Sequence, residues 1–208
     1  MRYLTDIVEE NYTWCLTKPA VGLGLLYNSF VVQDARGVAP TGWHIPTCSE
    51  WDDLFTYIGG VDSLSMLRCT GNDYWLIGDG TDNYGFKARG SGMRHKSLGF
   101  VDVRISHMAW ASDFVVTYDD GLKYNRNEED GCSIRLIKDD SVNPGTVTDY
   151  DGNTYTTVLI NSQVWTVENL YVTHYNNGDA ILEIIGNSEW ANLTTGALCT
   201  YNNDWSNV

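Results

Sequence analysis

Ala39-Pro40-Thr41-Gly42-Trp43-His44-Ile45-Pro46-Thr47, running into Cys48-Ser49-Glu50-Trp51-Asp52-Asp53-Leu54-Phe55-Thr56-Tyr57-Ile58-Gly59-Gly60, decides how the chain is read. Thr47 precedes the first apolar position and Glu50 follows three residues later, the spacing of a capping box. Trp51, Leu54, Phe55 and Ile58 fall at i, i+3, i+4 and i+7, so a helix built here presents one apolar face. Gly59-Gly60 ends it, because glycine alone enters the left-handed conformation without strain. A second, shorter helix is expected over 61–69.

Outward from this helix the patterns turn to strands. Phe114 to Tyr118 and Leu122 to Tyr124 flank Asp119-Asp120-Gly121, the signature of a hairpin. Ser133-Ile134-Arg135-Leu136-Ile137 reads as a strand closing a core. Thr156 to Ile160 and Gln163 to Val167 form another hairpin about Asn161-Ser162. Between these blocks, 138–149 is polar and carries Asn143-Pro144-Gly145, a linker signal. Twenty glycines against four prolines, with 8 Trp and 13 Tyr, fit short strands and aromatic packing better than a helical bundle. The expected class is α+β, with Trp43, Trp51, Leu54, Phe55, Ile134 and Leu136 as core. There is also an internal echo: Asp6-Ile7-Val8 and Trp14 to Ala20 resemble Glu183-Ile184-Ile185 and Trp190 to Ala197.

Charge narrows the partners. Twenty-seven acidic against thirteen basic side chains give a net charge of −14. A field of that sign repels phosphate backbones and anionic headgroups, so neither nucleic acid nor a membrane surface is an expected partner. Five cysteines (Cys15, Cys48, Cys69, Cys132 and Cys199) form no CxxC pair, and an odd count leaves at least one thiol free; reduced, core-packed thiols and assembly in a reducing compartment are expected. The N-terminal residues lack the basic and apolar runs of an export signal, and no apolar stretch is long enough to span a bilayer.

Catalytic signals are missing from the sequence. His44, His95, His107 and His174 show no metal-ligand spacing, and neither a nucleophile elbow nor a phosphate loop is present. The expectation is no catalytic and no metal residues. Asp149, Asp151 and Asn153 alternate as calcium-loop oxygens would, but position twelve is Ile160 and the glycine is misplaced; an Asx turn is the simpler reading, with calcium kept as the one cofactor candidate. Gly78 to Asn83 is a similar acidic loop. Arg89, Arg94 and Arg104 form a basic island with His95 and Lys96. Trp75, Tyr84, Arg94 and Trp110 are the candidate ligand-binding residues, with Trp205 a further loop aromatic.

Gly24-Leu25-Leu26-Tyr27-Asn28, the block from Ala39 to Thr47, Glu50-Trp51-Asp52-Asp53-Leu54 and Gly131-Cys132-Ser133-Ile134-Arg135 resemble the Fibrobacter succinogenes major paralogous domain. So do Asp151-Gly152-Asn153-Thr154-Tyr155, Gln163-Val164-Trp165 and Glu168-Asn169-Leu170. The resemblance makes Trp43, His44, Pro46, Trp51, Trp165 and Asn169 structural signature residues. It implies a C-type-lectin-like fold: a twisted β core, one or two short helices and long loops. The block order is permuted, however, with 149–208 resembling the part that opens the family domain. The expected organisation is a main domain over 1–142, a linker over 143–148, and 149–208 closing the fold. That closure is made within the chain, as half of a tandem pair, or in a neighbouring subunit. The implied function is a non-enzymatic phage virion protein (head fibre, decoration or tail-associated), assembled in the host cytoplasm. Its partners would be itself and other virion proteins, with a host surface glycan as a contact. The alternative is a carbohydrate- or receptor-binding protein of the bacterial cell surface.

Overall fold

The computed structural model describes residues 22–71, 73–76, 80–113, 115–117, 123–125, 127–140 and 142–208. In chain order the elements are β1 (Leu26–Tyr27), helix α1 (Ser29–Val32), β2 (Trp43–His44), helix α2 (Cys48–Ile58), a 3₁₀ turn (Val61–Met66), β3 (Ser91–His95), β4 (Gly99–Val103), β5 (Ala109–Trp110), β6 (Val115–Thr117), β7 (Lys123–Asn125), β8 (Ile137–Lys138), β9 (Thr146–Thr148), β10 (Thr154–Ile160), β11 (Gln163–Thr166), β12 (Leu182–Glu183), helix α3 (Asn187–Trp190) and β13 (Ala197–Cys199). The protein is mostly β with few short helices, compatible with the α+β class.

Helix α2 forms as its sequence dictates. The Thr47 side chain accepts from the Glu50 backbone N–H while the Glu50 carboxylate accepts from the Thr47 N–H at 2.7 Å. Such a cap contributes about 1 kcal/mol. Gly59 closes the helix at φ 100°. The face of Trp51, Leu54, Phe55 and Ile58 is buried against Phe86 and Trp165, the Trp51 and Trp165 rings lying 4.7 Å apart. The expected second helix is a 3₁₀ turn ending at Met66 instead. Gly60 and Gly59 both take positive φ just ahead of it, and the chain restarts in a tighter coil.

The main sheet runs β2-β8-β11-β10-β9, antiparallel throughout. Its strands come from both ends of the chain: Trp165 pairs with Ile137, and Ile137 with His44. The segment expected as one strand, 133–137, is extended but pairs piecemeal. Ser133 bonds to Met108, Trp110 bonds back to Ser133, and Leu170 and Thr166 donate to Ile134 and Leu136 on the other side. It is a spine threaded between two walls rather than a ladder rung. β9 falls inside the stretch read as a linker, since Thr146 and Thr148 pair with Thr156 and Thr154. In the 114–124 hairpin, β6 and β7 pair antiparallel (Val116 with Tyr124), while the Asp-Gly turn lies outside the described residues. A smaller sheet, β1-β13-β12, ties residue 26 to residue 199.

Arg135 joins these parts. Its guanidinium is buried and donates to the carbonyls of Phe86, Lys87 and Thr166, and to Asn169 Oδ1. Asn169 Nδ2 passes the connection on to the Leu23 carbonyl at 2.8 Å. Burial, then the charge of Arg89, pulls the Arg135 pKa down to about 9, and the group stays cationic at neutral pH. Arg135→Lys leaves one ammonium to serve acceptors that a planar fork reaches together. The expected loss is about 3 kcal/mol of unfolding free energy, read from denaturant melts.

The Leu23 N–H donates to the Asn207 carbonyl at 2.7 Å, so residues 22 and 208 are near neighbours in space. A rearranged chain running 145–208, a short glycine joint, then 22–139 should therefore fold with a cooperative melt. This also restores the block order that the resemblance implies. Loss of the cooperative transition in calorimetry would refute the intrachain pairing of β8 with β11.

Candidate functional site

The signature residues are framework. Trp43 is half-buried against the main core, and Pro46 is buried with its carbonyl accepting from Ser112 N–H at 2.8 Å. Trp51 and Trp165 form the aromatic stack with Phe86, and Asn169 is the partner of Arg135. His44 is clamped between two carboxylates, with Nδ1 2.6 Å from Asp139 and Nε2 2.9 Å from Glu50. This stitches β2 to the cap of α2 and to the residue that follows β8.

Burial draws the His44 pKa down, but the hydrogen bonds and charges of Asp139 and Glu50 outweigh it and leave the value above 6.5. A raised folded-state value means that this contribution is complete below the unfolded value of 6.5, and is lost as pH climbs through the folded one. Protein stability should accordingly fall as pH rises past 6.5, and His44→Gln should flatten that limb in melts taken across the range. An unchanged limb would show that the clamp contributes nothing.

Three of the four candidate ligand residues lie in the core. Trp110 is fully buried, and its indole N–H donates to the Tyr27 carbonyl at 2.6 Å. Trp75 is buried with its N–H on the Ala88 carbonyl. Arg94 is also buried, donating to the carbonyls of Ile184 and Ile185 and stacking over Trp190. These three have no face to offer a ligand. Tyr84 is partly buried beside Tyr57, ring centres 5.8 Å apart. The structure does not bring the four together as one surface. The reason is composition: in a chain this rich in Trp and Tyr, ring area fills the core, and the indole N–H groups find carbonyls there.

The acidic loop is also committed to the fold. Asp149 accepts from the Asn153 backbone and side chain and from Tyr155 OH, while Asp151 accepts from the Thr173 backbone and hydroxyl and pairs with His174 at 2.6 Å. Among the described residues, no group of three or more His, Cys, Asp or Glu is placed to hold a metal ion. Asp82, in the second acidic loop, accepts from the Lys87 N–H. His107 is buried and its Nδ1 faces the Arg89 carbonyl; burial and the nearby Arg135 charge push it down to about 3, so it is neutral. Cys69, Cys132 and Cys199 are buried cysteines outside any disulfide, and burial pushes Cys199 up to about 12, far from thiolate chemistry. Cys48 is half-buried and in no disulfide, and Cys15 lies outside the described residues.

Large apolar side chains are exposed at several places among the described residues, and one group of them lies along β12. β12 is the outer strand of its sheet among the described residues. Leu182 is 57% exposed and Ile185 62%, beside Trp205 at 48%. The Trp205 indole N–H donates to the Glu183 carboxylate at 2.9 Å, and Asn203 Nδ2 reaches the Ile185 carbonyl. The indole edge is thus fixed while its face stays open. Trp205 was among the loop aromatics; Leu182 and Ile185 carried no signal, because a two-residue strand shows no alternation to read. Among the described residues, no helix is long and apolar enough to cross a membrane. A family model described as the Fibrobacter succinogenes major domain matches residues 4–138. No curated protein and no solved structure matches the chain.

Proposed function

The chain belongs to the Fibrobacter succinogenes major domain family, and we propose that it is a non-enzymatic structural and attachment protein on a C-type-lectin-like fold. In this reading it is a phage virion component, a head fibre, decoration or tail-associated protein that associates with itself and touches the host surface. Residues 149–208, the part that closes the main sheet, complete the permuted domain within the chain. The reading rests chiefly on the β12 rim, where Trp205, Leu182 and Ile185 hold apolar area in solvent on a fixed backbone. Exposed apolar groups gathered at a sheet edge are what a docking surface needs. The polar groups that could suggest catalysis, His44, Asp149, Asp151 and His174, are each engaged in holding loops.

The Trp205–Glu183 pair also favours a second reading, a carbohydrate- or receptor-binding protein of the bacterial surface. An open indole face beside a carboxylate offers a sugar ring a stacking plane and a hydroxyl acceptor. Two measurements on the purified full chain separate the readings: its solution mass by light scattering, and its binding to host cells and isolated capsule. An oligomer that binds cells supports the virion component, and a monomer that binds capsule supports the surface lectin. In either case Trp205→Ala should weaken binding about tenfold, the equivalent of 1.4 kcal/mol. Neither self-association nor binding to cells or capsule would remove both readings.

A further inference from the structure

We infer that the cleft at the bend of β4 binds a small organic cation, an apolar body carrying a protonated amine. The cleft has a volume of about 290 Å³ and is walled by Leu76, Phe100, Val103, Ile105 and Tyr201. A phenyl ring with a short chain fits such a space. Asp102 is the only charged side chain among the lining residues, so an amine is the headgroup that the site pairs with. The protein's net charge of −14 adds a field that draws cations toward it.

The walls are built in conformations that the chain does not adopt cheaply. Asp102 and Arg104 hold φ of 61° and 60°, and Asn202, next to Tyr201, holds 57°. Each such residue costs on the order of 1 kcal/mol, and strain of this kind gathers where a backbone has been shaped for a ligand. Neighbouring bonds enforce it: Arg104 N–H donates to the Gly90 carbonyl and Leu76 N–H to the Arg104 carbonyl, while the Ile105 and Ser106 N–H groups both donate to the Asp102 backbone carbonyl. Gly90 and Gly92 are needed for the same reason. A Cβ on Gly92 would lie 2.4 Å from the Val101 carbonyl oxygen, and one on Gly90 2.6 Å from the Arg104 Cα. Phe100 is fixed in turn, packed on Tyr201 at 5.2 Å and backed by the buried Arg94. The Arg94 and Arg104 side chains are buried and do not line the cleft, so Asp102 is the ionised group that a ligand touches.

Three probes of one shape test the inference on the full chain at neutral pH: 2-phenylethylamine, 2-phenylethanol and 3-phenylpropionate, titrated by calorimetry or ligand-observed NMR. The amine should bind most tightly and the carboxylate least. Asp102→Asn, which keeps a residue at home in the left-handed conformation, should bring the amine to the level of the alcohol, a loss of about fivefold. Ile105→Trp should remove binding of all three, its fold verified by an unchanged melt. Equal binding of the three probes, no binding by any, or a charge preference that survives Asp102→Asn would overturn the assignment. A failed cell-binding experiment leaves these titrations unaffected, because they read the cleft alone and not the β12 rim.

Discussion

The fold depends on one buried cation. Arg135 has no carboxylate among its hydrogen-bond acceptors. Its charge is met by the carbonyls of Phe86, Lys87 and Thr166 and by the amide oxygen of Asn169, with the Phe86 ring beneath it. Burying a guanidinium costs several kcal/mol, and only a complete set of acceptors offsets that. Those acceptors come from two separated stretches of chain, 86–87 and 166–169, so the charge is satisfied only when both are in place. Asn169 then extends the network to Leu23 and Ser133. The aromatic stack of Trp51, Phe86 and Trp165 lies alongside and shuts out water that would otherwise compete for the guanidinium.

What could be read from the sequence was whatever local rules decide. The α2 cap, its apolar face and its glycine stop follow from near-neighbour geometry. The 156–167 hairpin follows from two apolar runs about a turn, with Asn161 taking the left-handed φ of 55°. The 133–137 segment was misread as a simple strand because Arg135 looks like an outward polar residue in an alternating pattern. Its partners lie 30 to 50 positions away and leave no trace nearby. The burial of two candidate ligand aromatics leaves no local trace for the same reason. Trp75 and Trp110 occur in loop-like sequence, yet each reaches a distant carbonyl and packs inside.

The cleft and the rim were opaque for another reason. Both are set by backbone conformation rather than by side-chain pattern. Asp102 and Arg104 carry no warning that they adopt positive φ, and the glycines that permit it, Gly90 and Gly92, lie ten and more residues earlier. Leu182 and Ile185 look like ordinary strand residues until the end of the sheet leaves them uncovered.

The order in which the main sheet is stitched has a consequence for synthesis. β2 leaves the ribosome early, but its partner β8 follows 93 positions later, from His44 to Ile137, and β11 supplies Trp165 later still. Pairings this distant in sequence are slow to form, since loop closure precedes any reward. Until Trp165 emerges, Trp51 and Phe86 have no third ring and Arg135 lacks half its acceptors. At 5–20 residues per second, that wait lasts roughly several seconds to half a minute. The nascent chain spends it with aromatic surface uncovered, so the yield of this protein in a cell is set by what shields that surface before the last hairpin arrives.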